Sequence, residues 1–300
     1  LIQYLTKNIG VAMVLSAMLL LGYMAILGDF STEIIINFSV LFLQGVILNY
    51  LCFRFGILGQ NSSIPLVLFS IFSVLIAPQL SLGDLVYGII WLAAFFLAFE
   101  SGENPTKSRN YIIYFGILLG IAQTINNISV LLLLPVFILF IQTGARSALD
   151  FVLGISYFIM VVLSFMGVLF VMELEDKLIN LIPQLTFDYS IFNNMLIKLF
   201  LPYVIASLIV HFLKLNGYRF RYPNRSKILN YTMLIQLGVA IALILFTAEA
   251  SFLIYFMMPA VVILSFTFLY TSKSTFSNAA FLSFICIALG SLWLYKILIL

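Results

Sequence analysis

Apolar residues in this chain form long runs broken by Gly, Pro, Asn or clusters of charge. Between the breaks the runs predict eleven helical segments, at roughly 9 to 27, 34 to 53, 64 to 77, 82 to 99, 111 to 125, 128 to 142, 149 to 171, 195 to 213, 230 to 247, 251 to 270 and 279 to 298. A helix that crosses a bilayer needs about 20 residues. The third, fifth and sixth runs, of about 14 residues, fall short of that length, so they are expected to be tilted, paired or shielded by neighbouring helices. The first run is too long for a signal-peptide core and has no small-x-small cleavage pattern, so it reads as a retained helix.

Composition turns these segments into membrane spans. Of the 300 residues 64% are hydrophobic and 8% charged, and the mean hydropathy is +1.19. A soluble domain carries roughly 45 to 50% apolar and about 25% charged residues, so a water-soluble core cannot absorb this surplus. Lipid must solvate it. The expected fold is all-α, a polytopic transmembrane helical bundle of about eleven spans forming one transmembrane domain over 1–300. Little chain is left for a soluble domain, which removes secreted, disordered and nucleic-acid-binding classes. Cys52 and Cys286 both lie in apolar runs and are expected as packed or lipid-facing thiols, not as a disulfide.

Charge gives the chain a direction, because Lys and Arg near span ends stay on the cytoplasmic side. With the N-terminus cytoplasmic and the C-terminus outside, one face collects Lys7, Arg54, Lys107, Arg109, Arg146, Lys214, Arg219, Arg221, Arg225, Lys227 and Lys273, which is 11 of the 14 basic residues. The other face holds Lys177, Lys198 and Lys296 together with 8 of the 11 acids, namely Asp29, Glu33, Asp84, Glu173, Glu175, Asp176, Asp188 and Glu249. Merging the fifth and sixth runs into a hairpin that does not cross would spoil this segregation. Two loops are long. The outer one, 172 to 194, has a mixed pattern suited to lying on the membrane surface, and the inner one, 214 to 228, is basic and aromatic, as contact with anionic lipid favours.

Soluble-enzyme motifs are missing: there is no phosphate-binding glycine loop and no Cys or His cluster at metal spacing. The single histidine, His211, falls near the inner end of the eighth run, on the wrong side to complete a triad with an outer acid. Ion-coupled transporters place ionisable groups in mid-span, whereas every acid here falls at a run end or in a loop. The polar groups inside runs are amides and hydroxyls such as Asn37, Gln44 and Gln236, expected as interhelical hydrogen-bond glue. The acidic outer face remains. Asp29 and Glu33 stand in GDFSTE, and Asp84 opens the fourth run, where it is also well placed to cap a helix N-terminus. A carboxylate there can act as general base toward an acceptor hydroxyl.

The order of these segments resembles the polytopic glycosyltransferases of the C-type fold, which include protein O-mannosyltransferases and lipid A aminoarabinose transferases. SIPLVLFSIFSVLIAPQLSLGDLVYGIIWLAAFFLAF is similar to the family's third and fourth spans, with a proline before the acid. YFGILLGIAQTINNISVLLLLPVFILFI resembles its glycine-containing hairpin, and SFLIYFMMPAVVILSFTFLY its late proline-containing span. The resemblance covers about 64 to 145 and 251 to 270, with a looser match over the first two runs. The chain also looks like a family of multi-pass inner-membrane proteins from Bacteroidota-type bacteria, which fits its short loops.

The resemblance implies a bacterial inner-membrane enzyme that moves a sugar, mannose by preference, from a polyprenyl-phosphate carrier to an exported protein or glycan. Asp29 would be the general base, with Glu33 as its substitute, and Asp84 would orient the acceptor. Asn126 and Asn127, standing where many relatives have a basic residue, would contact the carrier phosphate with Lys177. Beyond the lipid-linked donor no cofactor or metal is implied; the partners are membrane lipid, donor and acceptor. The alternatives are a non-catalytic scaffold subunit of an envelope complex and a transporter for a lipid or small molecule.

Overall fold

The computed structural model describes residues 8–27, 31–58, 61–77, 80–125, 147–173, 224–247, 252–269 and 274–299, with isolated positions at 2, 5, 205, 206, 208 and 209. Nine α-helices lie among the described residues: α1 Ile9–Leu27, α2 Thr32–Arg54, α3 Ile64–Ile76, α4 Leu82–Glu103, α5 Ser108–Ile125, α6 Ala148–Val171, α7 Asn224–Thr247, α8 Phe252–Leu269 and α9 Ser274–Ile299. These are the predicted segments to within a few residues, save that α7 starts at Asn224, inside the stretch read as a basic loop, and α9 at Ser274, five residues before its predicted start. The predicted runs at 128 to 142 and 195 to 213 lie outside the described residues, apart from isolated positions in the second. There is no strand among the described residues. α2, α4 and α6 are long and apolar enough to cross a membrane.

The chain divides into two compact units, one of residues 1–85 and 188–300, the other of 86–187. In the first, α3 is the central element, packed by α1, α2, α8 and α9. Its 13 residues are too few to face lipid across a bilayer, and Leu66, Val67, Leu68 and Phe69 are all fully buried. A helix that is apolar all round belongs inside a bundle. The short third run is therefore shielded by its neighbours, one of the three outcomes its length allowed. α8 is buried in the same way, from Leu253 to Phe266.

Serine hydroxyls enter this core because each is satisfied within its own helix: Ser70 donates to the Leu66 carbonyl at 3.0 Å, Ser73 to Phe69 at 2.8 Å and Ser265 to Val261 at 2.7 Å. Aromatic edges lock the surrounding helices. Phe268 of α8 meets Phe281 of α9 edge-on at 5.3 Å, and Phe72 of α3 lies 5.8 Å from Phe284.

The second unit is built on glycine. Gly116 and Gly120, four residues apart on α5, face α6 so closely that a Cβ on Gly116 would collide with the Gly154 carbonyl oxygen, and one on Gly120 would come within 2.6 Å of the Val161 Cβ. Small residues at this spacing let helix backbones meet directly, the packing that membrane helices use in place of a hydrophobic driving force. Contacts rise together along both helices, Ile112 and Gly116 with Gly154, then Gly120 with Phe158 and Val161. The two helices are therefore parallel, and the chain leaves α5 at one end of the pair and begins α6 at the other. Away from α5, α6 shows apolar side chains to its surroundings, among them Leu149, Val152, Leu163 and Phe170, each at least 60% exposed.

Two helix ends use the left-handed conformation. After α2, Gly56 has φ +59°, its N–H donates to the Phe53 carbonyl and Ile57 donates to Cys52, a complete Schellman motif. After α6, Glu173 takes φ 56° in the same role, donating to Phe170. A left-handed position costs an L-residue with a Cβ roughly 1–2 kcal/mol. Gly56→Ala is expected to destabilise by about 1 kcal/mol and Glu173→Gly to stabilise by a similar amount, opposite signs read from unfolding in detergent. Equal signs would remove this account of the two ends.

Both cysteines are free, Cys52 buried and Cys286 exposed.

Candidate functional site

The acidic end of the first unit is held by two amides. Asn37 and Gln44 sit two turns apart on one face of α2, so they point at the same neighbour. Asn37 Nδ2 donates to the Leu80 carbonyl at 3.3 Å and Gln44 Nε2 to Leu85 at 2.7 Å, and both side chains are buried. Gln44 makes the interhelical bond the sequence suggested, whereas Asn37 reaches the chain two residues before α4 begins. The two bonds run the chain over 80–85 in the same sense as α2 and clamp the start of α4 against it. Gln236 departs from that expectation, being fully buried in α7 with neither amide atom hydrogen-bonded.

The clamp fixes where the described acids lie. Glu33 is exposed in the first turn of α2, one turn before Asn37. Asp84 is half-buried in the first turn of α4, between the two clamped carbonyls. Both belong to the same end of the unit but not to the same level: at about 1.5 Å rise per residue, Glu33 stands roughly 14 Å further along the α2 axis.

Asp84 does not cap α4. Ser81 holds the N-cap position, and Asp84, three residues on, reaches back to it. Asp84 Oδ2 accepts from the Ser81 N–H at 2.8 Å and from its hydroxyl at 2.7 Å, while Ser81 Oγ lies 3.4 Å from the Asp84 N–H. This is a capping box with Asp in place of Glu. α6 begins in the same way, Ser147 donating to Asp150 Oδ2 at 2.7 Å and accepting from the Asp150 N–H at 3.3 Å. The reason for the correction is visible in the sequence: S-x-x-D places the hydroxyl, not the carboxylate, where the first free N–H groups of the helix point.

Asp29, Asn126, Asn127 and Lys177 lie outside the described residues, as does His211. Among the described residues no three His, Cys, Asp or Glu side chains come together as a metal site.

Hydropathy alone overlooked the polar corner between α4 and α5. Glu100, 7% exposed, accepts from Asn104 Nδ2 at 2.8 Å, and the buried hydroxyls of Ser101 and Ser108 lie 2.7 Å apart across the Pro105–Lys107 turn. The signal available was ESGENPTKS, a polar run too short for a loop of its own. Its bonds tie one helix to the next, which is a structural role.

No protein-family model, no curated protein and no solved structure matches this chain.

Proposed function

We propose that the protein is a polytopic inner-membrane glycosyltransferase that moves a sugar, mannose by preference, from a polyprenyl-phosphate carrier to an acceptor outside the cytoplasm. The observation that carries this is the amide clamp, because it brings the two acid-bearing segments, 33 and 84, to one end of one helical unit. Among the described residues the hydrogen bonds donated to the Asp84 carboxylate fall on Oδ2, which leaves Oδ1 to orient an acceptor hydroxyl. Asp29, four residues before Glu33, takes its proton, with Glu33 as the substitute. Asn126, Asn127 and Lys177 stabilise the phosphate as it leaves. The carrier's tail lies against apolar helix surface, with about 0.8 kcal/mol gained per buried methylene.

Eleven crossings with the N-terminus cytoplasmic put that end outside. Two features support this. Glu33 and Arg54 occupy opposite ends of α2, roughly 32 Å apart along the axis, close to the thickness of a bilayer core at about 30 Å. The parallel course of α5 and α6 also matches three successive crossings between 111 and 171. In a chain freed of Cys52 and Cys286, single cysteines at 214–223 are expected to be labelled only from the cytoplasm and those at 176–188 only from outside. Labelling of both from one side would sink the topology.

The function itself is tested by deleting the gene and probing exported proteins and envelope glycans for lost sugar, restored by the parental chain. A second reading, a scaffold subunit, draws on the capping box, since Asp84 then serves α4 alone. A deletion that changes no glycan but dissociates an envelope complex selects it.

A further inference from the structure

At the opposite end of α2 from Glu33 lies a cavity of about 500 Å³ between α1, α2 and the start of α3, a volume typical of small-molecule sites. Its walls are apolar, from Met13, Val46, Phe53 and Leu66, and its polar lining gathers at the α3 start in Asn61, Ser62 and Ser63, with Asn49 facing them from α2. Asn49 is 4% exposed, and its Oδ1 is buried without a hydrogen-bond partner. An acceptor shut away from water in this state costs free energy until something donates to it. None of the neighbouring side chains donates to it, although the Ser62 hydroxyl accepts from the Ile64 N–H at 3.2 Å.

The rim sets the kind of molecule that enters. Ile9, Tyr50 and Phe53 line the cavity and are each more than half exposed on the outer surface of the unit, where a membrane protein meets lipid tails. None of the described lining residues is charged, and Asn49, Asn61, Ser62 and Ser63 offer polar groups to a hydroxylated head. We propose that this cavity binds a membrane lipid with an uncharged, hydroxylated head, glycerol- or sugar-like. The Asn49 carboxamide turns toward the cavity so that a head hydroxyl donates to its Oδ1, and the chain leaves along Met13, Val46 and Phe53. Asn49 is 16 residues from Glu33, about 24 Å along the helix. The site is separate from the acidic end and independent of whether sugar is transferred there.

The test uses the full chain in detergent micelles, with binding read by native mass spectrometry and titration. 1-Monooleoylglycerol is the probe, and methyl oleate, which has the chain but no hydroxyl donor, is the first comparator. The parental protein is expected to bind the glycerol ester at least tenfold more tightly than the methyl ester. Asn49→Leu should bring the two to equal affinity while melting no lower than the parent, because it removes an unpaired acceptor. Met13→Trp fills the cavity and should abolish binding of both. Discrimination that survives Asn49→Leu, unchanged binding in Met13→Trp, or parental binding of neither probe would each overturn the proposal. So would tighter binding of the anionic phosphatidylglycerol than of monooleoylglycerol, which would assign the cavity to a charged head.

Discussion

Asp84→Asn is expected to cut sugar transfer by about a hundredfold to ten-thousandfold, the range a positioned carboxylate contributes to proton transfer or its orientation, with little change in stability. The stability half of this follows from the capping box. Asn at the third position of α4 keeps an oxygen able to accept from the Ser81 N–H and hydroxyl, losing only the charge that favours a helix N-terminus, typically about 0.3–1 kcal/mol. Ser81→Ala makes the opposite exchange. It removes the N-cap hydroxyl, at about 1 kcal/mol, and leaves the carboxylate in place, so it should destabilise more than Asp84→Asn and lower transfer far less. A capping role alone reverses that order in the activity assay: Ser81→Ala would then be the more harmful change, and Asp84→Asn nearly silent. Asp29→Asn is expected to match the loss in Asp84→Asn, whereas Glu33→Gln should cost less than tenfold. An inert Asp29→Asn beside a silenced Glu33→Gln would move the base to Glu33.

Why the helices were legible and their neighbours were not comes down to what lipid enforces. A chain in a bilayer must satisfy its backbone within each segment, so an apolar run has one conformation open to it, and its ends fall where polar groups return. Ile9–Leu27 emerges at the predicted bounds for that reason. Asn224–Thr247 begins six residues before its apolar run because Asn224, Arg225, Ser226 and Lys227 continue the helix with side chains that hydropathy counts as loop. Hydropathy is equally blind to partners. It saw that 64 to 77 was short but not that α3 is the central helix of its unit, since burial by protein and burial by lipid select the same apolar residues.

The site was legible in part. The amides Asn37 and Gln44 stood out because a buried amide needs a partner, and a spacing of two turns puts them on one face of α2. Which carbonyls they would reach depended on the return of residues 80–85 beside α2, a contact between residues about 40 positions apart. Ser81 was missed beside Asp84 because the acid drew the functional reading, although S-x-x-D also recurs at Ser147 and Asp150. The cavity at Asn49 had no sequence signal at all. A lone asparagine in an apolar run reads the same whether it bonds a neighbouring helix or is left open to a ligand.

Gly116 is where a single methyl group should do most damage to the fold. In the interior of a helix, Gly→Ala ordinarily stabilises by about 0.8–1 kcal/mol through helix propensity, and Gly167 on α6 is such a position, with nothing within 4 Å of a Cβ built there. Gly116 reverses the sign. Its Cβ meets the backbone carbonyl of Gly154, and backbone cannot rotate away as a side chain can, so α5 and α6 must separate along the pair. Overpacking of this kind costs typically about 1–3 kcal/mol and occasionally more, and Gly116→Val, with two further methyl groups, should lie at or above the top of that range. Gly120→Ala comes next, because its Cβ meets the β-branched Val161 at 2.6 Å and the Phe158 carbonyl at 3.2 Å. Gly154→Ala should be milder, since its Cβ meets a single γ-methyl of Ile112 at 2.9 Å and the Ile112 carbonyl only at 3.5 Å, an ordinary contact. Unfolding of the four single variants in detergent should therefore rank Gly116→Ala below Gly120→Ala, then Gly154→Ala, with Gly167→Ala at or above the parent. Equal effects at Gly116 and Gly167 would mean that α5 and α6 do not meet through backbone, and the parallel course drawn from the same contacts would fall with it.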